Sequence, residues 1–125
     1  VSEPFDAGKN KYRVRHLNAF QQFDIARPLF PVISELVEAA QSGMKPGDVM
    51  RVVGEAIAAM KTEDAHKILK MCLCGAERQS GAGWAAVYLP GPDRMMFEDI
   101  GLMEMMTIAM KVIEEHLKDF FSGQP

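Results

Sequence analysis

The sequence predicts a mainly helical α+β fold, with about four helices and one or two small β-hairpins. Apolar residues recur at three- and four-residue steps over residues 48–60 and 102–120, the spacing of one helix face. The turn clusters Asp6-Ala7-Gly8-Lys9-Asn10 and Pro90-Gly91-Pro92-Asp93 adjoin short runs suited to strands, the pattern of hairpins. A chain of 125 residues suits one domain and is long enough to bury a core without a metal or a disulfide. The expected organisation is a single domain over 1–125. It comprises a hairpin at 5–17, helices over 18–78, a second hairpin at 84–98 and a C-terminal helix over 101–122.

In the first hairpin, Lys11 to Leu17 alternates, with Tyr12 and Val14 inward and Lys11, Arg13 and Arg15 in water. His16 is expected half-buried. Asn18 with Gln21 makes a capping-box pattern at the next helix start. That helix presents Phe20, Phe23, Ala26 and Phe30 along one side. Pro28 and Pro31 predict a break near Arg27, with a continuation through Ile33, Leu36, Val37 and Ala40.

A second helix begins near Asp48, with Val49, Val52, Val53, Ala56, Ile57 and Met60 as its stripe. Thr62 is expected to cap a third, whose buried face is Ala65, Ile68, Leu69, Cys72 and Ala76. After Arg78, residues 79–83 read as a flexible loop. Trp84 to Leu89 and Arg94 to Glu98 then read as the two strands of the second hairpin.

The last helix places Leu102, Met105, Met106, Ala109, Ile113, His116, Leu117 and Phe120 on one face. A second partial stripe, Met103, Met110 and Phe121, lies beside it. Six of the ten methionines fall within 95–110. Methionine fills irregular core gaps and also lines adaptable binding surfaces. Met103, Met106, Met110 and Phe121 are therefore the candidate partner-binding residues.

Little chemistry is legible. The net charge of −3 argues against nucleic acid, because phosphate binding wants a basic excess. No apolar run reaches the roughly 18–20 residues of a membrane span, and no signal peptide heads the sequence. With no disulfide framework, a reducing cytoplasm is expected. Cys72 and Cys74 lie two apart on a helix and point away from each other, so they read as structural. His16, His66 and His116 fall on separate elements with no metal-ligand spacing, and His116 suits a capping or packing role. Asp93 reads as a turn residue and Asp99 as a cap. No phosphate loop, dinucleotide fingerprint or nucleophile elbow occurs, so neither catalysis nor a cofactor is expected.

Three stretches resemble the phage tail assembly chaperones of long-tailed, siphovirus-type phages and prophages. They are Tyr12, Arg15, Leu17, Ala19 and Gln21 with Phe23 and Ala26-Arg27; Cys72-Leu73 with Arg78 and Trp84; and Met96-Phe97-Glu98-Asp99-Ile100 leading to Leu117-x-x-Phe120-Phe121. Pro28 departs from the pattern, where an arginine is usual. The resemblance implies a non-enzymatic role in the bacterial host cytoplasm. Such a protein binds the tape-measure protein, keeps it soluble, helps recruit the major tail protein, and is not retained in the virion. It also implies self-association and, in many members, a longer form made by frameshifting. A structural tail or head–tail joining component is the alternative.

Overall fold

The structure, a computed structural model, describes residues 3–31, 35, 38, 41–43 and 45–121. It opens with the hairpin β1 (Phe5–Ala7) and β2 (Asn10–Val14), followed by α1 (Ala19–Ala26) and a 3₁₀ turn at Arg27–Leu29. Then come α2 (Pro46–Ala58), α3 (Thr62–Cys74), β3 (Ala76–Ser80) and β4 (Gly83–Ala86). A short hairpin, β5 (Tyr88–Leu89) and β6 (Arg94–Met95), leads to α4 (Leu102–Phe121). This is the mainly helical α+β fold the sequence predicts.

The strands form an antiparallel sheet in the order β1-β2-β3-β4, beside the β5-β6 ladder. Tyr12 pairs with Phe5 on one side and Arg78 on the other, and Gln79 pairs with Trp84. The central partner β3, Ala-Glu-Arg-Gln-Ser, departs from the expectation. The sequence pattern predicts the end of a helix at Ala76 to Arg78 and a loop at 79–83. Instead α3 stops at Cys74 and the chain turns at Gly75, whose missing Cβ would stand 3.1 Å from Val112 Cγ1 and 3.2 Å from Leu17 Cγ. That close approach, and the bond from the Arg15 amide to the Gly75 carbonyl at 2.8 Å, aim the next residues along β2.

Other boundaries shift as well. β2 ends at Val14, leaving His16 exposed rather than half-buried. The expected strand 84–89 divides at Val87, which bonds to Ala76 and Met96 and so links the two ladders. The β6 return covers only Arg94–Met95. The α2 stripe appears with Val53 and Ile57 buried and Val52, Ala56 and Met60 beside them, while the Val49 side chain lies outside what the structure describes. Pro46 occupies its first turn, two residues ahead of the expected start. Lys61, not Thr62, is the N-cap of α3, and Glu63 and Asp64 sit in its positive first turn.

The Asn18–Gln21 capping box is present in both directions, at 2.9 and 3.0 Å. The break near Arg27 appears as the 3₁₀ turn. The continuation through Ile33, Leu36, Val37 and Ala40 lies outside the described residues. The face of α1 is a correction, because Ile25, Ala26 and Leu29 are buried while Phe20, Phe23 and Phe30 are exposed. In α4 the buried arc is Ile108, Ala109, Val112 and Ile113, with Met105 packed against it. Leu102, expected on that arc, is 68% exposed. Burying side chains of the size of Ile108 and Ile113 contributes about 1.5–3 kcal/mol each before chain entropy is subtracted.

His116 fixes α4 to the start of α1. Its Nε2 accepts from the Leu17 amide at 3.1 Å, and its Nδ1 then donates to the Val112 carbonyl at 2.9 Å. This is a packing role, with the His16 ring 5.6 Å away. His66 stays apart on α3, exposed. Cys72 and Cys74 are free and buried, and burial pushes both thiols up. Asp99 does not act as a helix cap. Its carboxylate accepts two bonds from Arg78, at 2.7 and 3.0 Å.

Candidate partner-binding surface

The first half of α4 is bordered by two hollows. One, of about 480 Å³, lies between α3, the β5–β6 hairpin and the start of α4. Leu69 and Leu73 come from α3, Tyr88 and Met95 from the hairpin, and Leu102, Met105 and Met106 from α4. Helical spacing puts Leu69 and Leu73 one turn apart, and the same spacing aligns Leu102 with Met105 and Met106. The hollow is apolar because the two helices present these rows to each other across the hairpin.

A polar clasp holds the hairpin beside it. Lys70 pairs with Asp93 at 2.9 Å, and the Tyr88 hydroxyl donates to the same carboxylate. Asp93 takes the left-handed φ of +52°, which closes the turn, and its amide donates to Pro90 at 3.2 Å. The bonds from Tyr88 and Lys70 hold the Asp93 carboxyl below its ordinary value. The Tyr88 hydroxyl is pushed up to about 12, mainly by that same bond. The clasp groups and His66 also line the hollow, whose other lining residues are apolar.

The second hollow, of about 500 Å³, lies between α4 and β1, and is lined by Phe5, Asp6, Met106, Thr107, Met110, Lys111 and Glu114. Met106 borders both hollows, so its flexible thioether lines each of them. A larger hollow, of about 710 Å³, lies between the 3₁₀ turn and α3. Charges of both signs wall it, including Asp24, Arg27, Asp64 and Lys67, which suits an apolar partner less.

The candidate residues fall unevenly on this surface. Met106 and Met110 are partly buried at the hollows, and Met103 is 76% exposed outside them. Phe121 is the last residue of α4, and its side chain lies outside what the structure describes. Sequence reading missed Leu69, Leu73, Met95, Leu102 and Met105 as hollow-lining residues. Leu102 and Met105 were assigned to the core, and the surplus of apolar residues on α4 was the available signal. It also missed Phe20, Phe23 and Phe30 as exposed aromatics, with Phe23 and Phe30 edge to face at 5.9 Å.

Chemistry of other kinds is thinly represented. Among the described residues no group of three or more His, Cys, Asp or Glu could hold a metal ion. No helix among them is long and apolar enough to cross a membrane.

No curated protein and no solved structure matches the chain. A family model does, the one described as phage tail assembly chaperone protein, TAC, over residues 8–125. That span takes in the β1–β2 turn, the capped α1, the α3–β3 junction and all of α4. The match covers nearly the whole chain, and the chain belongs to the phage tail assembly chaperone family.

Proposed function

We propose that this chain, acting as one domain over 1–125 in the bacterial host cytoplasm, binds the tape-measure protein of a phage or prophage tail. It keeps that long helical chain in solution, helps bring major tail subunits to it, and leaves before the virion is complete. The observation that carries this reading is the mainly apolar hollow between α3, the β5–β6 hairpin and α4, whose Met106 also borders the more polar hollow beside β1. A helix with an apolar stripe binds by setting anchors one turn apart into a groove, and methionine lets one groove accept varied anchors. Met103, Met106, Met110 and Phe121 are proposed to contribute, with Leu102 and Met105 beside them. Several associated copies along one partner gain from multivalency without a strong single contact.

Co-expression with a long helical tape-measure fragment tests the reading. The fragment is expected to stay soluble and to co-purify with this chain. Recovery of this protein in stoichiometric amount from purified virions would overturn it in favour of a structural tail component.

A further inference from the structure

The outer face of α1 and the 3₁₀ turn is apolar, charged in two places and uncovered. Phe20 is 83% exposed, Phe23 49% and Phe30 48%. Asp24 and Arg27 are exposed beside these rings, away from the buried Ile25, Ala26 and Leu29, and they also border the hollow toward α3. Phe30 keeps right-handed helical angles after the 3₁₀ turn, and its ring meets Phe23 across that turn at 5.9 Å. Among the described residues neither Asp24 nor Arg27 has an ion-pair partner. The two charges are one helical turn apart and of opposite sign, which makes the face complementary to itself when turned through 180°.

We infer that this face pairs with the same face of a second copy, the two helices antiparallel about a two-fold axis near Ile25 and Ala26. Under such symmetry Asp24 of each copy meets Arg27 of the other, and both pairs form at once. Phe23 and Phe30 flank these pairs, where aromatic anchors exclude water and strengthen charges at the seam. The inference rests on the reading of the chain as acting in several copies, and not on what the methionine hollows hold.

Sedimentation equilibrium of the full chain alone tests it. The wild type is expected to form a dimer. Asp24→Arg and Arg27→Asp should each weaken it by about tenfold or more, because like charges then meet across the axis. The double variant D24R/R27D should recover wild-type association. A mixture of the two single variants should form the heterodimer in preference to either homodimer. Both positions are exposed, so unchanged circular dichroism is expected in every variant, with melting lowered only as far as the lost association lowers it, and Phe23→Ser serves as an independent disruptor. A wild type that stays monomeric, or single variants that associate as well as the wild type, would overturn the inference. So would loss of binding to a helical tape-measure fragment in D24R or F23S without any change in self-association, which would assign the face to that partner. Met106→Glu should leave the dimer intact, which separates failure here from failure of the hollows.

Discussion

On the sheet side of α4, Glu104 accepts hydrogen bonds from the Tyr12 hydroxyl and from Asn10 Nδ2, the latter at 3.0 Å. Gly8, at φ +61°, lets the β1–β2 turn lie so close that a Cβ there would stand 2.7 Å from Glu104 Oε1. Nearby, Arg78 grips Asp99 and lies 4.3 Å over the Phe97 ring. On the α3 side, the same turns of α4 offer Leu102, Met105 and Met106 to an apolar hollow. The first flank is directional, so it sets one position for the helix. The second is not directional, so it tolerates different occupants. Removing a hydrogen-bond acceptor at the first should cost folding, and adding a charge at the second should cost binding.

The largest expected effect is on the first flank. Glu104→Ala leaves the buried Tyr12 hydroxyl and the Asn10 amide without their acceptor, and should lower stability by about 2–3 kcal/mol in urea unfolding. Tyr12→Phe in that background should add little, because the two groups act as one unit. Full additivity of the two changes would show that the contact is not a unit.

Next comes Met106→Glu on the second flank. It should weaken binding of a helical tape-measure fragment by about tenfold, equivalent to about 1.4 kcal/mol. Stability should stay within about 1 kcal/mol of wild type. Calorimetric titration and thermal melting, done together, check this, and a variant that fails to fold would place Met106 in the core.

The smallest effect concerns acid. Bonding to Arg78 holds the Asp99 carboxyl below its ordinary value, and Tyr88 and Lys70 do the same for Asp93. A carboxyl lowered in this way stabilises the fold above its unfolded pKa, and that contribution is lost as pH falls through the folded value. Asp99→Asn should therefore flatten the fall in melting temperature as pH drops below the ordinary aspartate value of about 4. Tyr88 runs the opposite way. Raised to about 12, it contributes fully below the unfolded tyrosine value near about 10 and loses that contribution as pH rises through about 12. An unchanged acid slope in Asp99→Asn would show that the exposed grip on Arg78 adds nothing.

How much could be read beforehand differed from element to element. The Asn18–Gln21 box, the α2 stripe and the turn ending at Asp93 are local devices, and local sequence specifies them. Strand β3 is different. Its Glu77, Arg78 and Gln79 have no strong β-propensity, and they are extended because β2 and β4 pair with them on both sides. The orientation of α1 was hidden because Phe20 and Phe23 compete with Ile25, Ala26 and Leu29, and periodicity cannot say which apolar row meets the core. On α4 the same ambiguity shifted the buried arc toward Ile108 and Val112 and freed Leu102 for the surface. The methionine surplus was legible; the side to which it turned was set by α3 and the β5–β6 hairpin.

The bonds that tie Asn10 to Glu104 and Leu17 to His116 span 94 and 99 positions of the chain. Contacts of such range make folding slow, since the ends of a long loop must meet before anything rewards them. During synthesis the first hairpin leaves the ribosome roughly 5–20 seconds before α4 is complete. Through that interval Tyr12, Val14 and Leu17 lack the partners that bury them in the finished fold. A member of the tail assembly chaperone family thus passes through its own unguarded stage, closed only when α4 arrives.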